Sequence, residues 1–432
     1  MHPVLRLIGI ISVFIVTAIA WVVLGGVTSS RGTDQRGALF GQVADLWGSA
    51  QTQVAPAFAL EWTETVIEHK EQTDANGFVY NRQDIARVEA RSLAVDPSST
   101  RADVKLHLDQ RRKGLLWFPL YDIVFDGAWT VENKSGVVRN MRLTFPFPDR
   151  DAMYDDFHFA LDGVDQGQAV RPEGGAVTTV VSMQPGQILT LGVHYTSRGA
   201  DSWVYKPSPE VGQIEDFKLT MSTDFDAIDF PALTLSPSNR VAADGGWALD
   251  WTFARLVSGY GVGMVMPTHI QPGELASDLS FSAPLSLGLF FLWIYVLGLL
   301  RGTEIHPVNY LMIAAAFFSF NLLFAYTADH LAVEAAFALA SVVSVGLVVS
   351  YLRLVVGARF ALFEAGLAQV MYQVGFGVAH FTDGYTGLAI TVLGIVTLFA
   401  LMQLTGRISW SEKFGRTPVP AGPATTPAPA AG

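Results

Sequence analysis

The pattern of apolar and polar positions divides the 432-residue chain into three regimes. Residues 4–27 form one apolar run. From Ala57 to about Ala276, apolar residues recur with a period of two, the signature of strands with one buried face. From Phe281 to Thr405, five nearly charge-free windows follow one another: 281–300, 307–327, 335–352, 360–380 and 385–405. Each is about 20 residues long, the length a helix needs to cross the hydrocarbon layer. Each is too long for a buried strand, and the Gly and Ala inside them suit close helix packing in lipid. The loops between them are short, so neighbouring helices are expected to be antiparallel.

The run 4–27 is a sixth span. It exceeds the apolar core of a secretory signal and no A-x-A-like site follows it, so it is expected to remain as a signal-anchor helix. Residues 36–50 carry Leu39, Phe40, Val43, Leu46 and Trp47 at helical spacing. This predicts a separate amphipathic helix packed under the outer domain; its polar face lacks the Lys of a lipid sensor. In the period-two region, 104–108 alternates cleanly and 157–163 runs into the Asp162-Gly163 turn. Residues 177–183 and 188–195, joined at Pro185-Gly186, read as a hairpin. Residues 217–222 and 247–253 continue the pattern. The expected fold is an α+β membrane protein. A signal-anchor helix (1–27) precedes a large extracytoplasmic all-β, sandwich-like domain of one or two lobes (28–280). A bundle of five transmembrane helices (281–406) and a Pro/Ala-rich, disordered cytoplasmic tail (407–432) complete it.

Charge sets the expected orientation. Arg6, Arg301, Arg353, Arg359, Arg407, Lys413 and Arg416 all fall at one alternate set of helix ends, whereas Asp329, Glu334 and Asp383 fall at the other. By the positive-inside rule the basic ends, and with them both termini, are cytoplasmic, and the β-rich stretch lies outside. Mean hydropathy is +0.33. The formal net charge is −11. The outer stretch keeps 21 basic and 33 acidic residues, a net of about −12, which argues against nucleic acid or anionic headgroups as its partners. The chain has no cysteine. That excludes disulfides, thiolate metal sites and Cys nucleophiles, and suits a bacterial periplasm.

No HExxH, GxSxG, P-loop or GxGxxG motif is present. The glycine-rich stretch 259–263 leads into Pro267 and reads as a turn. The histidines show no ligand spacing outside the membrane block, so no metal or other cofactor is expected. The acid pairs Asp155-Asp156 and Glu215-Asp216 read as solvated loop charges. Asn133-Lys-Ser135 matches a glycosylation sequon by chance. Polar residues at membrane depth carry more information, because they are costly there. At 100° per residue Gln369, Gln373 and His380 fall on one face beside Gly366 and Gly377. Such a stripe serves either as interhelical glue or as the lining of a polar path, the first being the more usual role. Glu364 lies near Arg359 and is expected to pair with it or to snorkel. At the interfaces, Glu304 and His306 sit in the tight loop before Pro307, a favoured first residue for the next helix. Asp329-His330 reads as a helix cap, with a pH-sensing carboxylate–imidazole pair as the alternative.

The stretches His306-Pro-Val-Asn-Tyr-Leu311, Phe320-x-Leu-Leu323, Asp329-His330, Tyr351-Leu352 and Leu404-Thr-Gly-Arg-Ile-Ser-Trp410 resemble the C-terminal half of the CreD family. Leu46-Trp-Gly-Ser-Ala-Gln51 with Ala55-Pro56 is similar to its WGxxQ…GP segment. Arg111-Arg-Lys-Gly-Leu115, Tyr121, Phe125-Asp-Gly127 and Gly246-Trp-Ala-Leu-Asp-Trp251 resemble further family stretches. The order and spacing of these segments, more than any single one, carry the likeness, together with the one-plus-five helix layout. Departures are Asp329 where the family has Glu, Ala55 where it has Gly, the stretch 140–218, and a loose fit over 222–230. The resemblance implies an inner-membrane protein of cell-envelope integrity, associated with envelope stress, tolerance to colicins and β-lactams, and two-component control. It supplies no catalytic residue. The function expected is therefore non-enzymatic: a β domain binding a periplasmic or inner-membrane partner, with lipid-embedded helices that anchor it or relay its state. The alternative is a transporter or lipid-handling protein using Gln369, Gln373 and His380. The lack of an inverted repeat or broken helix pair weighs against that alternative. An intramembrane enzyme ranks third, since no serine, paired aspartate or zinc signature sits at matching depths.

Overall fold

The computed structural model describes residues 3–73, 79–382 and 384–406. The tail 407–432, with Arg407, Lys413 and Arg416, and the loop acid Asp383 lie outside the described residues. The chain forms two compact units, Met1–Gln35 with Ile270–Gly432, and Arg36–His269.

The first helix, α1 (Pro3–Trp47), is one uninterrupted element of 45 residues, where the sequence suggests two helices with a break after residue 27. The intervening Ser and Thr do not cap a new helix. Thr28 Oγ1 donates to Leu24 O (2.7 Å) and Thr33 Oγ1 to Ser29 O (3.1 Å), so these hydroxyls bond back into the turn they stand on.

In the β unit the strands are β1 (Gln51–Val54), β2 (Ala57–Thr73), β3 (Val79–Val95), β4 (Ser99–Lys113), β5 (Leu116–Glu132), β6 (Arg139–Pro146), β7 (Tyr154–Leu161) and β8 (Val164–Asp165). They continue with β9 (Pro172–Glu173), β10 (Ala176–Met183), β11 (Ile188–Ala200), β12 (Ser202–Lys206), β13 (Gly212–Thr223), β14 (Asn239–Ala243), β15 (Gly246–Ser258) and β16 (Val262–Val265). They build an eight-stranded sheet in the order β14-β15-β13-β4-β5-β11-β7-β8, a five-stranded sheet β3-β2-β6-β10-β9 and a three-stranded sheet β1-β12-β16. The expected sandwich is present, and a single apolar core fed by all three sheets makes it one lobe. Trp129, Trp203, Tyr195 and Tyr205 are fully buried there, and three of them are joined through their polar atoms: Trp129 Nε1 donates to Tyr205 OH (3.0 Å) and Tyr195 OH to Gln53 Oε1 (2.9 Å).

Two local expectations are corrected. The segments 177–183 and 188–195 are strands joined by a turn at Gly186, but they are not a hairpin. β10 pairs with β6 and β9, and β11 with β5 and β7, so the turn carries the chain from one sheet to the other. Fully buried Asn133 secures that crossing: its backbone carbonyl accepts from Gly186 N (2.8 Å) and its side-chain amide donates to Met183 O (3.0 Å). The acid pairs also lie within strands, not loops. Asp156 and Asp216 adopt φ of 50° and 41°, a left-handed backbone that Asp tolerates better than most residues. At Asp156 it forms a bulge in β7, opposite the register shift between His194 and Thr196.

The last turns of α1 and the residues that follow pin the helix to β5 and the end of β11, interior strands of the eight-stranded sheet. Leu39, Phe40, Val43 and Trp47 pack with Leu116, Phe118, Leu120 and Ala200, while Leu46, placed on the same stripe by the sequence, is left exposed. The Arg111 guanidinium stacks 3.8 Å from the Trp47 ring. Gly48 turns the chain at φ 96°, and Gln51 donates to Ser197 Oγ (3.0 Å) and Arg198 O (2.8 Å).

The second unit continues with α2 (Pro272–Arg301), α3 (Pro307–Thr327), α4 (Val333–Val356), the irregular helical segment 360–381 (α5) and α6 (Thr386–Thr405). α2 begins nine residues before the expected window: Pro272 opens it at N1 and Pro284 lies inside it without ending it. Among the described residues five helices, α1, α2, α3, α4 and α6, are long and apolar enough to cross a membrane. α5 matches the remaining expected span in position but is built from π segments Phe360–Gly366 and Val370–Gly375, short α pieces and a terminal 3₁₀ turn.

The junction yields a stability test. A Cβ added at Gly48 meets Arg198 O at 2.6 Å, whereas one added at Gly136 (φ 71°) meets nothing within 4 Å. Gly136→Ala is expected to cost about 1–2 kcal/mol, the left-handed backbone penalty alone. Gly48→Ala should cost more, read as a larger fall in the thermal unfolding temperature of the β unit; equal falls would contradict this account of the junction.

Candidate functional site

Of the polar residues singled out at membrane depth, the structure joins Gln369 and Gln373 and leaves the others apart. Gln369 is fully buried and Gln373 nearly so. Gln369 Nε2 donates to Gln373 Oε1 (2.8 Å) and to Ser344 Oγ of α4 (3.1 Å). Ser344 Oγ in turn stands 2.9 Å from Gln373 Oε1 and 2.7 Å from Ala316 O of α3, and its single proton serves one of them at a time. Gln373 Nε2 donates to Phe317 O (3.2 Å), also on α3. The network therefore ties α3, α4 and α5 together. Turning the Gln369 amide over would set two oxygens against each other, so its orientation follows from the network.

The two π segments flank Gln369. Because a π turn carries more residues than 3.6, the 100° phase used to align His380 with the glutamines no longer holds. His380 falls in the 3₁₀ turn at the helix end, with Nδ1 3.1 Å from Phe376 O, and among the described residues it shares no hydrogen bond with either glutamine. Gly377 has a packing reason: a Cβ there would stand 2.6 Å from the Phe337 ring of α4. Beside Gln373 lies a void of about 20 Å³, lined by Trp21, Ser286 and Asn321 among others. That is room for about one water. Trp21 Nε1, Asn321 Oδ1 and Gln369 Oε1 are buried there or nearby without a protein partner.

Glu364 pairs with Arg301 at the end of α2, not with Arg359 as expected, and the Arg301 guanidinium also lies 5.9 Å over the Phe360 ring. Glu304 is exposed in the loop. His306 is the N-cap of α3, its Nδ1 accepting from Val308 N at 3.3 Å. The turn holding Asp329 and His330 closes α3 through the backbone, with His330 N and Leu331 N both donating to Thr327 O at 2.9 Å.

The structure assembles a second polar constellation that sequence spacing does not reveal. On the outward face of the eight-stranded sheet His194 (β11) lies opposite His158 (β7). His194 bonds Asp126 (2.6 Å) and Asp156 (3.3 Å), and His158 bonds Asp156 (3.0 Å) and Asp165 (2.7 Å). Carboxylates and imidazoles thus alternate across four strand segments. Among the described residues no group of three or more His, Asp or Glu is arranged to hold a metal ion. Each imidazole nitrogen is taken by a carboxylate, so the chemistry is proton and charge pairing. Only the strand register and the bulge at Asp156 bring these residues together; the alternating pattern around His158 and His194 was the available signal.

Donating to the Asp165, then the Asp156, carboxylate raises the His158 pKa above its ordinary value, and accepting from His158, and from Gly167 N–H, lowers that of Asp165. The signs oppose. The His158 contribution to stability is full below the ordinary imidazole pKa and is lost as pH rises through the raised one. The Asp165 contribution is present above the ordinary carboxyl pKa and is lost as pH falls through the lowered one. The pair thus stabilises the β unit most in the mildly acidic window. In an NMR titration His158 should protonate above the ordinary histidine value and fall back toward it in Asp165→Asn; an unchanged His158 titration in that variant would contradict the pairing.

The model of the family described as "Inner membrane protein CreD" matches residues 2–174 and 281–411. Among curated proteins none matches. Of solved structures, a Legionella pneumophila protein described as a nutrient binding protein shares 9% identity at a TM-score of 0.30, covering 45% of this chain and 77% of its own. The M1 zinc metallopeptidase from Deinococcus radiodurans shares 11% at a TM-score of 0.26, covering 78% of this chain and 97% of its own. Likenesses this distant bear on neither fold nor activity. The family match spans most of the chain and both the N-terminal helix and the C-terminal bundle: the chain belongs to the CreD family of inner membrane proteins.

Proposed function

We propose that this protein is a non-enzymatic binding module of the cell envelope. Its β unit, on the periplasmic side, captures an envelope component or protein partner. Its helices, with both termini cytoplasmic, anchor that unit and relay its state. The envelope-stress role associated with the family then follows from what the β unit captures. The observation that carries the reading is the closure of the membrane network. Gln369, Gln373 and Ser344 spend most of their donors and acceptors on one another and on α3 carbonyls, and the neighbouring void has room for about one water. Polar residues consumed in this way hold helices together. The Arg-bearing helix ends support the orientation.

A second reading, a lipid-handling or transport path, is favoured by one feature: α5 is broken by two π segments at the depth of the glutamines, and such irregularities often accompany function.

Photocrosslinkers placed along the β unit in intact cells, with captured species identified by mass spectrometry, separate the two. The binding-module reading expects a specific envelope partner that is retained in the Gln369→Leu/Gln373→Leu double variant, whose thermal stability falls by about 1–3 kcal/mol per lost buried network. Absence of a partner, with lipid captured by a probe at position 373, would favour the path instead.

A further inference from the structure

We propose that the outward face of the eight-stranded sheet binds the C-terminal end of an extended peptide. The peptide carboxylate sits on Lys218 and Arg101 and its backbone lies flat over Ala128, Gly192 and Ala160. The inference rests on the binding-module reading and names the class of ligand that the β unit takes.

The strand register places these residues in one row. Lys218 pairs with Arg101, Arg101 with Ala128, Ala128 with Gly192, and Gly192 with Ala160. Their neighbours along each strand, among them Leu219, Ala102, Trp129, Leu191 and Phe159, are buried, so the row faces outward. Two cations are followed by three small residues on three adjacent strands. Ala and Gly are poor strand formers, and Gly in a strand interior often marks close approach of a ligand or another backbone. Nothing in the fold asks for glycine at 192. Its φ is not left-handed, and an added Cβ would meet only Ala160, at 3.8 Å. The bare floor forms part of a groove of about 570 Å³. That is within the range of small-ligand sites. From Arg101 to Ala160 is three strand spacings, about 14 Å, the reach of about four extended residues.

The charges sort by sign along the groove. Lys218 and Arg101 are direct cross-strand neighbours, and in the next row so are Asp103 and Asp126. Like charges placed opposite one another are destabilising. The Arg101 guanidinium is held on one side, by Asp216 Oδ2 (2.6 Å from Nη2) and by the Asp216 and Thr100 carbonyls, which accept from Nη1, whereas Lys218 forms no ion pair among the described residues and is the cation most available to an anion. An anion seated between the two cations relieves their repulsion, and a carboxylate is matched to a guanidinium. In the Asp103 and Asp126 row one oxygen of each carboxylate is engaged, Asp103 Oδ2 by Thr220 and Asp126 Oδ1 by His194, and the other oxygen of each supplies an acceptor for peptide N–H groups along one edge of the chain. No Trp, Tyr or Phe lines the groove, so its floor suits a thin backbone better than a stacked ring.

The test uses the full chain in lipid nanodiscs, titrated with fluorescently N-labelled tetraalanine carrying a free C-terminal carboxylate, or with its C-terminal amide. The acid is expected to bind at least 10-fold more tightly than the amide, and Lys218→Glu to remove that preference. Gly192→Val should abolish binding while raising the thermal unfolding temperature of the β unit, because a β-branched residue enters an unobstructed strand position. Binding unchanged in Gly192→Val, equal binding of acid and amide, or no binding at millimolar peptide would each overturn the inference. If a crosslinked partner is still captured by the Gly192→Val chain, the groove assignment alone fails; if no partner is captured by the unaltered chain, the binding-module reading fails with it.

Discussion

Lipid offers no hydrogen-bond partner, so a polar group carried to membrane depth is costly unless the protein itself satisfies it. The Gln369–Gln373–Ser344 network is the answer this chain gives, and the arrangement of α3, α4 and α5 depends on it. The partners are backbone carbonyls of α3 as well as side chains, so the network also limits how those helices slide. The π turns of α5 belong to the same account: they surround Gln369 where its amide meets Ser344 and Gln373. Gly377 lets the helix approach Phe337 closely. The ion pair of Glu364 with Arg301 joins α5 to α2.

The β unit is built on a different constraint. Its strands alternate between a dense aromatic core and an outward face, and the core leaves little freedom on the inner side. On the binding-module reading, recognition falls to the outer face and its edges. There the chain does things that folding alone does not favour: like charges lie opposite one another, a glycine occupies a central strand, and imidazoles and carboxylates alternate across a bulge. Departures from local rules of this kind mark functional surfaces more often than accidents. The junction at Trp47, Gly48 and Gln51 secures the end of α1 to the same sheet, through Arg111, Arg198 and Ser197.

Much of this was legible in the sequence, and the rest was not for identifiable reasons. The apolar windows locate the helices because bilayer thickness dictates their length, and period-two alternation locates most strands. The family stretch Leu46–Gln51 stands out in the sequence; its role as a clamp depends on residues about 150 positions away. The turn signal at Pro185-Gly186 says that the chain reverses, not which sheet each strand joins, so the sequence reads as a hairpin where the chain crosses between sheets. Asp155-Asp156 looked like a loop because a bulge borrows loop chemistry inside a strand. A regular helix would bring His380 beside Gln369; the π-helical backbone between them shifts it away. The groove and the His158–His194 chain are products of register, which no linear spacing encodes.

The central claim is that the membrane bundle is closed and that recognition belongs to the β unit. Hydrogen–deuterium exchange across 366–378, measured on the full chain in lipid nanodiscs, tests it most directly. A closed network predicts that these amides exchange slowly, as slowly as those of α3 around Phe317, even though the π turns depart from regular helix geometry. Rapid exchange confined to 366–378, with α3 and α4 still protected, would reveal a water-lined passage at the glutamines and contradict the account.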